Sequence, residues 1–198
     1  MSRRALGRLL LACSVSASGA GANDIGMELD QTQTVVNFTL PATLHTVHGS
    51  FRLRSGTVHY DPATGKAGGE VIVDVASGAT GDGGRDSKMH KDVLASARFP
   101  EAVFTPTSVD GRFDPQGTSE LTVHGLFQIH GSTHELSLSA HIETKGDQLT
   151  ATLRSELPYT QWGIKNPSTL FLRVSDKVQL DIRATGRRTA GGSATAVR

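Results

Sequence analysis

Apolar and polar residues alternate with a period of two along most of the chain between residues 25 and 186. In the first run, Val36, Phe38 and Leu40 alternate with polar residues. The same alternation recurs in five later runs, whose apolar members are Val71, Val73, Val75; Leu121, Val123, Phe127, Ile129; Leu136, Leu138, Ala140, Ile142; Leu149, Ala151, Leu153, Leu157; and Val178, Leu180, Ile182. Such alternation is typical of antiparallel strands with one apolar face and one wet face.

Turn-forming residues separate these runs. Asp61-Pro62-Ala63-Thr64-Gly65 and Asp114-Pro115-Gln116-Gly117 place proline and glycine where a chain reverses. We count about eight strands, a number that can close into a barrel holding side chains or one ligand. The run 118–129 is long for one strand, and Gly125 in its middle predicts a bulge or bend.

One segment departs from the alternation. Residues Asp86–Ala97 place Met89, Val93 and Leu94 on one helical face, with Asp86 as a candidate N-cap and Phe99-Pro100 as the stop. The glycine-rich approach at 78–84 lacks the Gly-Lys-Ser/Thr ending of a phosphate-binding loop. The predicted fold class is all-β: an eight-stranded antiparallel barrel with one short α-helix.

Composition suggests a hollow interior. The 198 residues include 22 Gly but only seven Phe, two Tyr and one Trp. We therefore expect light inward-facing side chains that leave room for a guest, although a small, fully packed core is the alternative. No run approaches the roughly 18 apolar residues of a spanning helix, so no transmembrane segment is expected.

The two ends differ from the body. Residues 1–22 combine Arg3, Arg4 and Arg8 with a short apolar stretch and the small residues Ala20-Gly21-Ala22, which predicts a signal peptide. Cleavage there would remove Cys13, the only cysteine, although Leu10-Leu11-Ala12-Cys13 also loosely resembles a lipoprotein signal. We expect a barrel domain over 23–186 and a disordered basic tail over 187–198.

The net charge argues against nucleic acid as a partner. Segment 23–186 holds 14 basic and 19 acidic side chains, a formal charge of −5. Binding to nucleic acid without sequence preference needs several phosphate-facing cations, which an acidic body does not offer.

Eight histidines raise the alternative of a metal protein or enzyme. His45, His48 and His90 are the best candidates because they lie beside predicted loops. No HExxH motif, no Gly-x-Ser-x-Gly elbow and no recognisable histidine–carboxylate spacing accompanies them. Neither a catalytic function nor a cofactor is therefore expected.

Several segments resemble the bacterial YceI-like family. The first is RDSKMHKDVL at 85–94 followed by RFPEAVF at 98–104; the second is LTVHG at 121–125 followed by HGSTHEL at 130–136. Supporting pieces are LHTVHGSF at 44–51, DVAS at 74–77, YTQWGIKNPS at 159–168 and LRV at 172–174. One departure is Ser96-Ala97, where many relatives carry a bulky aromatic pair.

This resemblance implies a lipocalin-like, extended eight-stranded barrel with a long tunnel, in a periplasmic or secreted protein. It also implies an amphiphilic ligand with an isoprenoid tail, such as an isoprenoid quinone or a polyprenyl lipid, and no established catalytic residues. The expected function is binding of that lipid for storage, transfer or stress protection. A homodimer is compatible with the sequence, and a packed, ligand-free envelope protein is a further alternative.

Five residues are predicted to contact such a lipid. Arg85, His90 and Lys165 would meet the head group at the tunnel mouth, and Trp162 and Phe104 would stack on a quinone ring or line the tail. Four of them have a structural alternative: Arg85 could fix the helix, Trp162 could plug the barrel, Phe104 could belong to the core, and Lys165 could be solvated.

Overall fold

The computed structural model describes residues 24–190 of the chain. They form nine strands and one short helix that continues into a π-helical segment. In chain order the elements are β1 Ile25–Leu29, β2 Val35–Leu40, β3 Val47–Tyr60, β4 Ala67–Ala79, α1 Gly83–Lys88, the π-helical segment Met89–Val93, β5 Glu101–Gly111, β6 Thr118–Ile129, β7 Ser132–Lys145, β8 Gln148–Leu157 and β9 Val178–Ala190. The predicted signal peptide lies outside the described residues.

The nine strands make an eight-stranded barrel, because β1 and β2 share one position between β3 and β9. Met27 in β1 pairs with Val58 and Arg188, while Val36 in β2 pairs with Phe51 and Ile182. Pairing then runs from β9 through β8, β7, β6, β5 and β4 back to β3, always antiparallel, which closes the sheet. The predicted fold class is confirmed.

A tight turn interrupts the first strand position. The Asp30 carboxylate accepts hydrogen bonds from the backbone N–H groups of Thr32 and Gln33, at 2.8 and 3.2 Å. A hydrogen bond from the Thr32 hydroxyl, together with these backbone bonds, holds the pKa of Asp30 below its usual value. The turn separates β1 from β2 without changing their direction along the barrel.

All six alternating runs point their apolar members inward, as the period of two predicts. The buried core lies on the inner face of the strands, where Val75, Phe127, Leu136, Leu138 and Leu157 pack together. The polar members of the same strands face solvent. The sheet is therefore apolar inside and wet outside.

The connections at the two ends of the barrel differ in length. The lower end, as we orient it, carries the turns at 61–66, 112–117 and 146–147. The upper end carries the loop 41–46, the helical connection 80–100 and the loop 158–177. It also carries the hairpin turn at His130 and Gly131, whose φ values of 52° and 80° match a tight two-residue turn.

The helix begins earlier than predicted. Asp82, not Asp86, is the N-cap of α1, and its carboxylate accepts from the backbone N–H of Arg85 at 2.9 Å. Asp86 is instead one turn into the helix, where its carboxylate accepts from the backbone N–H of Thr80. The backbone is π-helical over Met89–Val93, and a non-glycine positive φ of 46° at Ala95 ends the segment.

The predicted bulge lies on the neighbouring strand. Strand β6 pairs with β7 without interruption from Thr118 to Ile129, so Gly125 does not break it. On its other side, Pro106 pairs with Gly125 and Ser108 with His124, which leaves Thr107 of β5 as the extra residue. Gly125 is required for space instead, because a Cβ there would lie 2.7 Å from the Phe104 ring.

The predicted tail begins too early at residue 187. Strand β9 continues to Ala190, with Arg187 paired to Glu28 and Arg188 to Met27. Backbone hydrogen bonds to β1 account for this extension. These bonds do not depend on whether the β9 side chains are apolar, so the hydropathy pattern gave no sign of them. Residues 191–198 lie outside the described part.

Candidate functional site

A cavity of about 330 Å³ fills the interior of the barrel. Side chains from the lower end, such as Phe113 and Leu149, and from the upper end, such as Leu40 and Ile164, line the same void. The interior is therefore a tunnel, which contradicts the alternative of a fully packed barrel.

The tunnel wall is almost wholly apolar. Its few polar or partly polar members are Thr34, His59, Tyr60, Tyr159 and Trp162. A dry apolar void excludes water and gains free energy from an apolar guest, at about 0.8 kcal/mol per CH₂ group. Its chemistry suits a long hydrocarbon chain.

The expectation of light inward side chains was wrong. Five of the seven phenylalanines line the tunnel, as do both tyrosines and the tryptophan. The void exists because eight tilted strands enclose more space than these side chains fill. Barrel closure, rather than a shortage of large residues, explains the tunnel.

Two of the five predicted ligand-binding residues line the tunnel. Phe104 projects from β5, and its ring lies over the Cα of Gly125. Trp162 comes from the upper loop and lies between Phe127, at 6.0 Å between ring centroids, and His134, at 4.4 Å. Both side chains are partly buried, so both have exposed surface for a guest.

Arg85 anchors the helix rather than facing the tunnel. Its Nε donates to the Thr80 hydroxyl at 2.7 Å, and its Nη2 donates to the Thr80 carbonyl at 3.1 Å. The Asp86 carboxylate accepts from the same hydroxyl. Arg85 therefore fixes α1 to the end of β4 and is not among the side chains that line the void.

His90 is also held within the protein. Its Nε2 lies 2.8 Å from the Gly78 carbonyl, and its Nδ1 lies 3.0 Å from the Ser96 hydroxyl. A carbonyl can only accept, so Nε2 carries the proton and Nδ1 of the neutral ring accepts from Ser96. Both ring nitrogens are used, and His90 is absent from the tunnel wall.

The alternative of a histidine metal site is not supported by where the candidate histidines lie. Within residues 24–190, no group of three or more His, Cys, Asp or Glu side chains is placed to hold a metal ion. His48 bonds through Nδ1 to the Thr39 hydroxyl at 3.0 Å, and His45 is exposed in the 41–46 loop. His90 has internal partners, so these three histidines do not meet as a ligand set.

Lys165 is exposed on the 158–177 loop at the upper end. Its neighbours Ile164 and Pro167 line the tunnel, which places Lys165 beside the mouth but outside the wall. Of the three predicted head-group contacts, Lys165 is exposed, whereas Arg85 and His90 are partly buried.

Sequence reasoning missed the two tyrosines of the tunnel. Tyr159 is 6% exposed, and its hydroxyl donates to the Ser175 carbonyl at 2.7 Å. Burial, with a contribution from Asp176, raises its pKa to about 12. Tyr60 lines the lower end, where burial and then Asp61 raise its pKa. Tyr159 continues the inward parity of the run that ends at Leu157, which could have indicated it. Tyr60 follows a register shift in β3 that reverses the inward parity, so the sequence offered no such signal for it.

The outer face holds a serine–histidine–aspartate chain that no sequence motif indicated. His124 Nδ1 lies 2.8 Å from the Ser137 hydroxyl, and its Nε2 lies 3.0 Å from the Asp110 carboxylate. All three are on the wet face of β5–β7, and Ser137 and Asp110 are exposed. A flat exposed surface cannot shield a substrate from water. We therefore interpret these residues as polar side chains that hydrogen-bond across neighbouring strands.

No helix in the described part of the chain is long and apolar enough to cross a membrane.

Related proteins resemble the chain in sequence. Protein YceI of Escherichia coli O157:H7 is 29% identical over 152 residues, which cover 74% of this chain and 76% of that protein. A UPF0312 protein of Pseudomonas savastanoi pv. phaseolicola is 28% identical over 196 residues, covering 94% of this chain and 98% of the relative.

Solved structures share the fold. BcnA of Burkholderia cenocepacia superposes with a TM-score of 0.66 at 18% identity, covering 79% of this chain and 98% of that one. A polyisoprenoid-binding domain of Saccharophagus degradans, implicated in plant cell wall breakdown, superposes with a TM-score of 0.63 at 15% identity, covering 82% and 98%.

A family model agrees with both comparisons. The model of the YceI-like domain matches residues 27–186, which run from within β1 to within β9 and include every element between them. The chain therefore belongs to the YceI-like family.

Proposed function

We propose that this protein is a periplasmic or secreted binding protein that holds an isoprenoid lipid, of the quinone or polyprenyl type, in its tunnel. The observation that carries this proposal is the continuous apolar void of about 330 Å³ from one end of the barrel to the other. A structural neighbour described as a polyisoprenoid-binding domain supports the ligand class. Storage, transfer or protection of the lipid would all use the same site.

The tail is assigned to the tunnel. Each CH₂-sized group that moves from water into the apolar wall gains about 0.8 kcal/mol, so a chain of several isoprene units supplies enough free energy to offset its ordering. Phe104 pairs in register with Phe127, whose ring centroid lies 6.0 Å from that of Trp162, so both predicted contacts line the same part of the tunnel. Flat rings at these positions suit branched, partly unsaturated chains.

The head group is assigned to the upper end. The indole of Trp162 offers a face for a quinone ring, and Lys165 offers a cation for a carbonyl or phosphate oxygen. Arg85 and His90 support this end indirectly, through Thr80 and Ser96, because their polar atoms already have partners. Tyr60 and His59 mark the opposite end, where a reversed lipid would place its head group.

Mass spectrometry of an organic extract tests the ligand class. Tag-free protein purified from its native host is expected to release an isoprenoid lipid in near-stoichiometric amount. Absence of such a lipid, combined with no uptake of an added isoprenoid quinone by the stripped protein, contradicts the proposal.

A pair of matched variants tests the tunnel as the site. Ala140 is 1% exposed and lines the void, while its neighbour Ser139 faces solvent on the same strand. Ala140→Phe should block the tunnel and reduce lipid content at least ~10-fold, whereas Ser139→Phe should leave it unchanged. Ala151→Leu is a milder block if Ala140→Phe folds poorly. Equal lipid content in all variants contradicts the assignment.

The head-group end is tested separately. Lys165→Ala should weaken binding of a charged or quinone head group, and Tyr60→Phe should have little effect. The reverse result would place the head group at the lower end while leaving the tail in the tunnel.

A further inference from the structure

Three large apolar side chains project into solvent at the upper end of the barrel. Leu170 is 95% exposed, Phe171 is 88% exposed and Leu44 is 74% exposed. We call these three residues the apolar tip. The other exposed large apolar residues of the described part, Leu126 at 43% and Val35 at 41%, are much less exposed and lie on strands of the barrel wall.

The structure holds the apolar tip in a defined shape. Leu170 and Phe171 are the central residues of a turn closed by Thr169 and Leu172: the Thr169 N–H donates to the Leu172 carbonyl at 2.8 Å, and the Leu172 N–H donates to the Thr169 hydroxyl at 3.2 Å. Tight turns favour Gly, Asn, Asp, Pro and Ser. Leucine and phenylalanine at such positions expose apolar area that the fold itself does not require.

Hydrogen bonds join the two loops that carry the tip. The Thr43 N–H donates to the Arg173 carbonyl, and the Arg173 N–H donates to the Thr43 hydroxyl, both at 2.9 Å. The Ser175 N–H donates to the Pro41 carbonyl at 2.8 Å, and Ala42 pairs with Val174. Leu44 is thereby held on the same side of the barrel as Leu170 and Phe171.

The tip borders the tunnel end. Ile164 and Pro167, a few residues before Leu170, line the void, and Leu40, four residues before Leu44, lines it from the other loop. The same two loops therefore present apolar surface both to the tunnel and to solvent. A lipid that moves from apolar surroundings at the tip into the tunnel would not have to cross a wide polar surface.

Charge at this end is opposite to that of the body. The upper connections hold seven Lys or Arg and four Asp, counted over 41–46, 80–100 and 158–177. The lower connections hold two Lys or Arg and three Asp, counted over 61–66, 112–117 and 146–147. Beside the tip, Lys177 pairs with Glu156. Lys165 and Arg173 have no ion-pair partner among residues 24–190. Cations around an apolar tip match an anionic lipid surface.

We propose that the apolar tip Leu44, Leu170 and Phe171 docks this barrel on an anionic lipid bilayer, inserting among the acyl chains while Lys165 and Arg173 meet the head groups. This inference goes beyond lipid holding, because it assigns a membrane surface as the partner. It also gives the guest its route between the bilayer and the upper tunnel end.

Flotation with defined vesicles tests the docking. The full-length protein is expected to float with vesicles of three parts phosphatidylcholine to one part phosphatidylglycerol, more weakly with phosphatidylcholine alone, and less at high salt. Leu170→Ser combined with Phe171→Ser should weaken flotation at least ~10-fold, because two apolar anchors are lost. The matched control, Leu126→Ser combined with Val35→Ser, removes two exposed apolar residues from the barrel wall and should float like the wild type.

Three results would overturn the proposal: no flotation of the wild type, equal flotation of the tip variant, or equal loss in the control. A dimer in sedimentation that the tip variant dissociates, without vesicle binding, would identify a second copy of the chain as the partner and also overturn it. Uptake of an isoprenoid quinone from detergent solution is measured on the same variants. The two measurements separate the two proposals. Loss of flotation with normal quinone uptake concerns docking alone, and loss of quinone uptake with normal flotation concerns the tunnel alone.

Discussion

The imidazole of His134 lies flat against the indole of Trp162, with 4.4 Å between ring centroids and 7° between ring planes. His134 comes from β7, whereas Trp162 comes from the upper loop, so this stack fixes the loop to the barrel wall. The Nε2 atom of His134 is buried and has no hydrogen-bond partner among the described residues. The ring thus serves as a packing surface behind a tunnel-lining side chain.

Replacing His134 should free Trp162, and its fluorescence reports this directly because it is the only tryptophan. His134→Ala removes the stacked ring, which we expect to shift the emission to longer wavelength and to destabilise the fold by about 1–2 kcal/mol. His141→Ala, on the wet face of the same strand, is the control and should leave the emission unchanged. An unchanged spectrum in His134→Ala would mean that the stack does not hold the loop.

Gly125 is expected to be intolerant of even one added methyl group. A Cβ at this position would lie 2.5 Å from the Thr105 carbonyl oxygen and 2.7 Å from the Phe104 ring. Gly125→Ala should therefore destabilise the protein by about 1–3 kcal/mol and push Phe104 into the tunnel. Gly83→Ala is the matched control, since nothing lies within 4 Å of a Cβ there and alanine favours the helix. Urea unfolding of both variants measures the difference.

Alkaline pH should destabilise the protein through Tyr159. Burial, and then Asp176, raises its pKa to about 12 from an ordinary value of 10. Above pH 10 the unfolded chain loses this proton while the folded chain keeps it, so the free energy of unfolding falls between pH 10 and about 12, by on the order of 1–2 kcal/mol. Below pH 10 the contribution is fully present.

Comparison with Tyr159→Phe isolates this effect. The variant loses the hydrogen bond to Ser175, at a cost of about 1 kcal/mol at neutral pH, but should show a smaller decline at alkaline pH. Tyr60→Phe, measured in parallel, accounts for the second tyrosine whose pKa is raised. Parallel stability curves for wild type and Tyr159→Phe would contradict the assignment.

His141 should titrate above its usual pH because of Glu120. The hydrogen bond from His141 to the Glu120 carboxylate, followed by the charge of Glu120, raises the pKa of this histidine, with a smaller contribution from Glu143. The stabilising interaction is thus present below about pH 6.5 and is lost as pH rises through the folded-state pKa. NMR titration of the ring protons should show the pKa falling in Glu120→Gln and unchanged in Glu135→Gln. An equal pKa in all three proteins would exclude the pairing.

Much of the barrel could be predicted because alternation is a local property. In a strand, successive side chains point to opposite faces, so the parity of Leu136, Leu138 and Ala140 indicates their shared face before any partner strand is known. Phe104 and Trp162 could be proposed for the tunnel on residue type and family resemblance. Both side chains line the tunnel wall, and their contact with a ligand stays a prediction.

Other assignments needed the tertiary structure. Arg85 and His90 have suitable chemistry for a head group, but Thr80, Ser96 and the Gly78 carbonyl already satisfy their polar atoms. Thr80 is five residues from Arg85, and Gly78 is twelve from His90. Each side chain has several candidate partners along the chain, and no local pattern shows which of them will lie within hydrogen-bond distance after folding.

The sequence by itself determined the strand faces, the turns and the antiparallel class, because these depend on residues that are neighbours along the chain. Tertiary structure decided that β1 and β2 share one strand position, that five phenylalanines surround a void instead of filling it, and that Leu44 joins Leu170 and Phe171 at one end. Closure of the sheet brings residues more than 100 positions apart into register. The width of the resulting tunnel belongs to the whole barrel, so no single segment encodes it.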